Sequence, residues 1–351
     1  MLDFVLATKP QRVPNGKSIA ANATSNNNYF FADVVSGTPT RQAIQGGEYI
    51  YDLVRLDKYN NTAGYLPYDE VSSSEPMVLS KLKIPWRMYR TSFNWSDEQV
   101  ELQKGANEII PLLRNWRAAA EQSTYEFFDD AIVAAPDAEA ESKETFEGKP
   151  LNSIFTYITH DGLVPSEYTT AGVTTIMGQS PATKTVHRNK FLTYDANQYE
   201  NTIATAMLRA KMALHWEMPT PQSWFENSSL NKMRIYTDTS GVVAYLEYLN
   251  NKGNRYDTGN DPAKNIGADA PKFWNIPIIQ RDGFDRKAWT KPEYLWIDWN
   301  WLSFTFHSKN FLSEKDPVSP TNMTGVHRLD QLTWGNLFCH ERRRHLVLFA
   351  A

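Results

Sequence analysis

The chain has a single cysteine, Cys339, among 351 residues, which excludes an intrachain disulfide framework and a cysteine-based zinc site. Acidic residues outnumber basic ones by 40 to 36, so the basic surplus that marks a nucleic-acid-binding protein is absent. No apolar run approaches the roughly 20 residues of a membrane span, and residues 1–9 lack the basic start and apolar core of a signal peptide. We therefore expect a soluble protein made in a reducing compartment, with no membrane partner.

Catalytic motifs are also scarce. His340 and His345 are five residues apart, one more than the spacing of a helical zinc-protease motif. Asp298 lies in an aromatic run where a glycosidase carboxylate could stand, but no second carboxylate is marked by its context. The glycines at 46–47 open a strand instead of a phosphate-binding helix, and Cys339 between aromatics favours a packed thiol. The sequence therefore predicts no enzyme, no cofactor and no metal site.

Aromatic residues are abundant instead. The chain contains 11 Trp, 17 Tyr and 17 Phe, and its hydrophobic content of 41% suits an ordered globular protein. Aromatic side chains fill large cores, and they are also enriched at protein–protein interfaces because they offer large contact areas. Both interpretations stay open at this point.

Residues 46–93 are predicted to form a long two-armed β extension. Its first arm, residues 48–56, is rich in aromatic and β-branched residues, and the second arm alternates between an apolar and a basic face. The apolar face comprises Val78, Leu82, Ile84, Trp86 and Met88, and the basic face comprises Lys81, Lys83 and Arg87. A polar, turn-rich tip, residues 57–75, joins the arms. Because an isolated hairpin is marginally stable, its apolar face needs a partner, which is another copy if it is not this chain.

The rest of the chain mixes helices and strands. Residues 1–40 are polar and turn-rich, which predicts an extended arm that orders on a surface. Ser96 and Gln99 form a capping box that predicts a helix running to about residue 135. Helices are also predicted over 197–216 and 240–250, and strands over 233–236, 273–280, 294–307 and within 332–349. Because regular βαβ alternation is missing, the predicted class is α+β.

Taken in order, these segments resemble the major capsid protein of tailed bacteriophages, the family with the HK97-type fold. The resemblance rests on the arm, the extended loop, the helix from Ser96 and the Arg-rich segment 334–348. It implies an N-terminal arm (1–45), an extended loop (46–93), a peripheral domain with a spine helix and β-sheet (94–194), an axial α/β domain (195–325) and a closing peripheral strand (326–351).

The resemblance also implies a function and partners. Pentamers and hexamers of the chain would assemble into the icosahedral shell of a virion around phage double-stranded DNA, held without sequence-specific binding. A separate scaffolding protein, a portal and a possible cement protein would be partners, and synthesis would take place in the host bacterial cytoplasm. Some members of the family join subunits through a Lys–Asn isopeptide bond. Lys58 lies in the loop tip, but no Asn or Glu can be matched to that motif, so this activity is not carried over.

Inter-subunit contacts are predicted on the extended loop and on the Arg-rich final segment. If that segment is a strand, alternation places the Arg343 side chain on the face opposite to Arg342 and Arg344. The predicted contact residues are Tyr49, Tyr51, Leu82, Ile84, Trp86, Arg87, Met88, Arg342 and Arg344. Two alternatives remain open. One is the shell subunit of an encapsulin-type cellular compartment, and the other is a carbohydrate-active enzyme that uses Asp298.

Overall fold

A computed structural model describes residues 30–31, 33, 41–44, 46–55, 79–98, 106–138, 150–214, 233–251, 271–273, 276–287, 289–319 and 324–351. For residues 41–44, 55, 106–115 and 250 the description covers the backbone alone. The predicted loop tip, Lys58, Gln99 and most of the predicted N-terminal arm lie outside the described residues.

Six helices have both of their ends in the described part of the chain, and residues 30, 31, 33, 97 and 98 are also helical. The six are α1 (Ala106–Val133), α2 (Ile154–Tyr157), α3 (Ser166–Thr170), α4 (Tyr199–Leu214), α5 (Thr239–Asn251) and α6 (Asp282–Asp285). The helix predicted over 197–216 is confirmed as α4, whose buried face carries Ile203, Ala206, Met207, Ala210 and Leu214. These apolar positions recur at helical spacing, which explains why this helix could be predicted from its pattern.

Strands in the described residues form three sheets. The strands are β1 (Arg41–Ile44), β2 (Tyr49–Arg55), β3 (Leu79–Pro85), β4 (Arg87–Ser96), β5 (Lys190–Tyr194), β6 (Met233–Thr237), β7 (Lys272–Phe273), β8 (Ile276–Gln280), β9 (Tyr294–Asp298), β10 (Leu302–His307), β11 (Ser313–Glu314), β12 (Val326–Cys339) and β13 (Leu346–Ala350). One sheet has the order β1-β10-β12-β11 with β4 also paired to β12, a second has the order β5-β13-β9-β6-β8-β7, and β2 pairs with β3. The mixture of helices and mixed sheets agrees with the predicted α+β class.

The six-stranded sheet of the described residues is buried on both faces. Ile235, Trp296 and Leu348 point into a core shared with α4 and α5. Their neighbours Tyr236 and Leu295 point into a second core, which also contains residues of α1, β3 and β12. Every residue of β9 is consequently buried, as expected for a strand covered by helices on one side and a second layer on the other.

Two strand predictions are corrected by this topology. The segment predicted as one strand over 294–307 is two strands in different sheets, because β9 joins the six-stranded sheet and β10 the five-stranded one. The final segment is likewise divided, since β12 pairs with β10 and β4 whereas β13 pairs with β5 and β9. The domain boundaries at residues 194 and 325 stay predictions, but the chain crosses between sheets more often than they imply.

The described residues show part of the predicted long helix. Ser96 is the last residue of β4, paired with Val326, and α1 begins at Ala106. The Asp97 N–H donates to the Gly325 carbonyl at 2.7 Å, so the backbone after Ser96 is still fastened to the loop before β12. Asp97 and Glu98 are helical, as predicted for a helix that begins directly after Ser96. Residues 99–105 lie outside the described residues, so the continuity of this helix with α1 stays a prediction.

Phe30 and Phe31 lie inside the molecule, and Asp33 is half-buried beside them. Phe30 and Phe31 are helical and buried, and Phe31 packs on Phe128 and edge-on against Phe304 with ring centroids 5.1 and 5.4 Å apart. The Phe31 N–H donates to the buried Asp129 carboxylate at 3.0 Å, and burial raises the pKa of that carboxyl. The prediction of a surface-lying arm is therefore wrong for these residues, which are part of the core.

Two arginines hold the same segment. The Arg281 guanidinium donates to both carboxylate oxygens of Asp33 at 2.8 Å, and the Tyr236 hydroxyl donates to Asp33 Oδ2 at 2.8 Å. Arg286 donates to Asp129 Oδ2 at 2.9 Å. Charge-assisted bonds of this kind fix geometry as well as adding stability. The N-terminal segment is thus tied to α1 and to the six-stranded sheet together.

We expect Phe31→Ala to lower the free energy of unfolding of the unassembled chain by about 3–5 kcal/mol, because it leaves a cavity between α1 and β10. Phe127→Ala is the matched control, since Phe127 lies on the same helix but is 50% exposed, and its loss is expected to cost about 1 kcal/mol or less. Denaturant titration followed by circular dichroism measures both. Equal losses for the two variants would contradict the burial of the N-terminal segment.

Candidate functional site

The two arms of the predicted extension pair with each other in antiparallel register. Ile50 lies opposite Ile84, Asp52 opposite Leu82, and Tyr51 opposite Lys83. Since directly opposed residues share a face, one face of the hairpin carries Ile50, Asp52, Val54, Ser80, Leu82 and Ile84, and the other carries Tyr49, Tyr51, Leu53, Leu79, Lys81 and Lys83. The first set is called the inner face and the second the outer face.

The inner face packs into the core of its own chain. Leu82 and Ile84 are completely buried and Ile50 nearly so, together with residues of α1 and β12. This corrects the prediction that Leu82, Ile84 and Trp86 contact another subunit, because these three side chains already have their apolar neighbours within the molecule. The root of the hairpin therefore packs against the core of its own chain.

Polar contacts fix the root further. The indole N–H of Trp86 donates to the Gly47 carbonyl at 2.9 Å, closing the base of the hairpin. Asp52 Oδ2 and His340 Nδ1 are 2.6 Å apart, and His340 Nε2 lies 3.1 Å from the Ser303 hydroxyl. This chain of contacts links β2 to β12 and β10. The middle of the inner face is thereby attached to the five-stranded sheet.

The free edge of β3 is attached to a tight turn. The Lys83 N–H donates to the Met177 carbonyl at 3.1 Å, and the Gln179 side-chain amide donates to the Lys81 carbonyl at 3.2 Å. Gly178, between them, has a φ of +76°, a conformation that a glycine adopts without steric cost. The turn at 176–179 therefore clamps the edge along which the hairpin leaves the core. No sequence pattern singled out this turn.

The outer face is exposed. Tyr51, Leu53 and Leu79 are 59%, 60% and 63% exposed, an unusual degree for three neighbouring large apolar side chains. The Lys81 ammonium lies 4.3 Å from the centre of the Tyr51 ring, and the Lys83 ammonium lies 5.4 Å from the centre of the Tyr49 ring. Both predicted contact tyrosines therefore have cation–π contacts. Tyr49, unlike Tyr51, is half-buried. Leu53 and Leu79 are not among the predicted contact residues, because only the pairing register places them beside Tyr51.

The second arm is two strands instead of one. Trp86 separates β3 from β4, and β4 pairs with β12 from Arg87↔Gly335 to Ser96↔Val326. The break takes Arg87 out of the predicted basic face and buries it completely, and it leaves Met88 half-buried. Arg87 is therefore wrong as an exposed inter-subunit contact, and the alternation failed because two strands of different sheets were read as one.

Arg342 lies at the point where the chain passes from β12 to β13. Residues Arg342–Arg344 form a 3₁₀ turn, so the predicted strand alternation of the three arginines is wrong. The buried Arg342 guanidinium donates to the carbonyls of Tyr157, His187 and Leu163 at 2.8, 3.0 and 3.1 Å. Such a network holds three loops around the crossover, so Arg342 is a structural residue of this chain and not an exposed contact.

Arg344, by contrast, is half-buried at the surface. Its Nε donates to Glu341 Oε2 at 3.1 Å, and its guanidinium lies 5.4 Å from the centre of the Trp301 ring. Arg343 also pairs with Glu341. Of the predicted contact residues, Tyr49, Tyr51, Met88 and Arg344 thus keep some exposed surface, and their role between subunits stays a prediction.

The candidate catalytic residues have structural surroundings. Asp298 is buried at the end of β9, where its Oδ1 accepts the Asn300 N–H at 3.0 Å and stabilises the turn to β10. Burial raises the pKa of the Cys339 thiol to about 12, which keeps it protonated and unreactive. Within the described ranges, no group of three or more His, Cys, Asp or Glu side chains is arranged to hold a metal ion.

No described helix has the length and apolar character needed to cross a membrane.

Comparison with known proteins identifies the architecture. No family model matches the chain, and no curated protein matches it at the level of sequence. Solved structures do match. The chain aligns with the capsid asymmetric unit of cyanophage A-1(L) with a TM-score of 0.59 and 9% identity, covering 88% of this chain and 90% of that one. The chain has a phage capsid fold.

Two further capsid structures show the same fold. The mature capsid of bacteriophage PhiM1 matches with a TM-score of 0.51 and 10% identity over 89% of this chain and 85% of that one. The capsid of a native GTA particle matches with a TM-score of 0.50 and 9% identity over 89% of both chains. The resemblance to phage capsid proteins stated from the sequence is therefore confirmed at the level of the fold.

Two buried histidines beside Arg342 make the fold sensitive to acid. Burial, with a further contribution from the nearby Arg342 charge, lowers the pKa of His345 to about 3 and that of His187 to about 4. The unfolded chain protonates these rings near pH 6.5, so below that pH it binds more protons than the folded chain. Stability therefore falls as the pH drops from about 6.5 towards the folded-state pKa values.

We expect His345→Gln to flatten part of this pH dependence. Between pH 7 and pH 5 each buried histidine should lower the unfolding free energy by about 2 kcal/mol. The variant lacks one of these histidines, so its unfolding free energy should fall by about 2 kcal/mol less than that of the wild-type chain over the same pH range. Urea titrations of the unassembled chain at pH 7, 6 and 5 measure the effect. His160→Gln is the control, because that ring is largely exposed and its contact with Glu293 raises its pKa instead. An unchanged slope in His345→Gln would contradict the assignment.

Proposed function

We propose that this chain is the major capsid protein of a tailed bacteriophage, and that its copies form a closed icosahedral shell of pentamers and hexamers around double-stranded DNA. The observation that carries the proposal is the fold, which matches the cyanophage A-1(L) capsid structure over 88% of this chain. In this proposal the paired strands β2 and β3 would serve as the extended loop, α1 as the spine helix, and the two large sheets as the cores of the peripheral and axial domains of the HK97-type organisation.

The hairpin supplies a surface for contacts between copies. Its root is fixed in the core, so the exposed Tyr51, Leu53 and Leu79 are presented on a rigid support. Covering each of them would contribute about 1–2 kcal/mol before the entropic costs of association. A contact in which one patch meets a different patch on the next copy is heterologous, and repetition of such contacts around an axis builds rings and closed shells.

The remaining partners follow from this role. A separate scaffolding protein and a portal would act with the chain, with a cement protein as a further candidate partner in the virion, after synthesis in the host cytoplasm. The net charge of −4 fits a wall that encloses DNA without binding it tightly, because affinity for phosphates grows with the number of Lys and Arg contacts. No observation favours the carbohydrate-active alternative, since the Asp298 carboxylate is engaged in a turn.

Negative-stain imaging of the purified protein, alone and with candidate scaffolding proteins, tests the proposal. Closed particles of uniform diameter, or hexameric and pentameric rings, are the expected result. Particles that enclose cargo proteins in place of DNA would indicate an encapsulin-type compartment. A protein that remains monomeric at high concentration under every condition would contradict the proposal.

We expect substitutions on the two hairpin faces to separate folding from assembly. Leu53→Ser with Leu79→Ser should leave the unfolding free energy within about 0.5 kcal/mol and should reduce the yield of particles strongly, because both side chains are exposed. Leu82→Ser is the matched control on the inner face, and it should cost several kcal/mol because it places a hydroxyl in the core. Denaturant titration and particle yield by sedimentation measure the two effects. Normal assembly of the outer-face variant would exclude this face as a contact.

Deleting residues 57–75 should give a folded chain that assembles poorly, since the root contacts of β2 and β3 lie outside the deletion. Circular dichroism of the unassembled chain and sedimentation of particles measure the outcome. Normal shells from the deletion variant would show that the loop tip does not take part in assembly.

Trp86→Ala, in contrast, should lower the stability of the single chain, because Trp86 belongs to its core.

A further inference from the structure

Strand β5 leaves the six-stranded sheet with an open edge. It is the terminal strand of the order β5-β13-β9-β6-β8-β7, and its parallel register pairs Lys190 with Leu346 and Tyr194 with Ala350. The Lys190 N–H donates to the His345 carbonyl, and the Tyr194 carbonyl accepts the Ala351 N–H, both at 2.9 Å. Alternation along a parallel strand then directs the main-chain groups of Phe191 and Thr193 away from β13. Among the described residues no strand pairs with that side.

The side chains around this edge are apolar and basic. Phe191 is 47% exposed, and Lys190 and Thr193 are exposed as well. A groove of about 480 Å³ beside the edge is lined by Thr185, Val186, Arg188, Asn189, Lys190, Phe191, Ala213, Leu214, Arg343 and Arg344. None of these lining residues in the described chain carries a carboxylate, whereas four carry positive charge. Two of the four, Arg343 and Arg344, share the carboxylate of the adjacent Glu341, so the net charge beside the groove is positive. The groove therefore favours a ligand that is negatively charged and also has apolar groups.

An open strand edge favours a peptide over a nucleic acid. A peptide strand can accept hydrogen bonds from the N–H groups of Phe191 and Thr193 and can donate hydrogen bonds to their carbonyls. This is the pattern of strand addition to a sheet edge. A phosphate backbone accepts hydrogen bonds but offers no N–H for the two outward carbonyls. The combination of an unpaired edge, an exposed aromatic ring and flanking cations thus describes a site for an extended acidic peptide.

The chain itself contains a sequence of this kind. Residues 139–147 read Glu-Ala-Glu-Ser-Lys-Glu-Thr-Phe-Glu, with four acidic residues against one lysine. In an extended conformation three of the four glutamates, Glu139, Glu141 and Glu147, would share one side, and Phe146 would lie on the other side with Glu144. The complementary charges favour this segment as the occupant of the groove.

We propose that the open edge of β5 binds residues 139–147 of a neighbouring copy of this chain by strand addition. The inference rests on the proposed shell function for the source of the peptide, because a shell places copies side by side. The strand-edge contacts would set the direction of the peptide, and Arg188, Lys190 and Arg343 would neutralise its carboxylates. The result is a second inter-subunit contact, remote in sequence from the hairpin and dependent on charge.

Thr193→Pro is the sharpest test. Proline removes the N–H that points away from β13 and leaves the β5–β13 bonds in place, and an edge strand tolerates proline at such a position. Thr193→Val is the matched control, since it keeps the N–H. The receiver is the full chain carrying Glu139→Lys, Glu141→Lys and Glu144→Lys, so that its own segment does not compete. Fluorescence anisotropy with a labelled synthetic peptide of residues 137–149 measures binding at concentrations where the chain is monomeric.

We expect saturable, salt-sensitive binding to the receiver and to Thr193→Val. Thr193→Pro should lower the affinity for the peptide by about tenfold or more, because it removes a main-chain hydrogen bond to the peptide. The double variant Lys190→Glu with Arg343→Gln should lower the affinity by a similar factor, because it removes positive charge beside the carboxylates of the peptide. Circular dichroism and thermal melting confirm that each variant is folded. A peptide in which the glutamates are replaced by glutamine should bind weakly. Absence of peptide binding to the folded receiver would overturn the proposal.

Two further outcomes would also overturn it. If a DNA oligonucleotide of equal charge displaces the peptide as effectively as the unlabelled peptide does, and Thr193→Pro has no effect, the groove is a phosphate-binding surface. If the monomeric wild-type chain binds the peptide much more weakly than the receiver does, the segment occupies the groove of its own chain instead of a neighbour's. Because these measurements use unassembled chains, their failure is distinguishable from a failure to form shells.

Discussion

The packing of Ile50, Leu82 and Ile84 against the core of their own chain is the interaction on which the rest of the structure depends. A two-stranded hairpin gains too little from its own contacts to be stable in water. Here the inner face is buried beneath β12 and beside α1, and the edge of β3 is clamped by the turn at residues 176–179. The hairpin can therefore keep an apolar outer face in water while the subunit is still alone. Under the proposed shell function, this face would be available for contact before neighbouring copies arrive.

The crossover at Arg342 has a similar importance for the two sheets. The chain leaves β12 in one sheet and enters β13 in the other within six residues. The carbonyl groups of Tyr157, Leu163 and His187 meet at this buried crossover. The Arg342 guanidinium satisfies these three carbonyls, and the neutral rings of His187 and His345 fill the adjoining space. The same arrangement explains why acid should loosen the fold, since neither histidine can accept a proton without placing a second charge beside Arg342.

Local patterns predicted some elements well and failed where tertiary contacts decide. The period of apolar residues identified α4 and its buried face, and alternation identified the two arms of the hairpin. Alternation could not show which face of the hairpin is covered, because both faces carry large apolar groups. Only the register between β2 and β3 groups Tyr51 and Leu53 with Leu79, and sets them apart from Leu82 and Ile84. The strand break at Trp86, the division of residues 294–307 between sheets and the burial of Phe31 depend on distant partners that leave no local pattern. The capsid resemblance nonetheless emerged from the order of the elements, which is less sensitive to such errors.

Amide hydrogen exchange of the same protein before and after assembly tests the central claim most directly. If the hairpin root is anchored within each subunit, peptides that contain Leu82 and Ile84 are protected from exchange already in the unassembled chain, and assembly adds protection in peptides from the outer ends of β2 and β3. Fast exchange at Leu82 and Ile84 in the unassembled chain, with protection appearing only in particles, would show that neighbours supply the packing and would contradict the account.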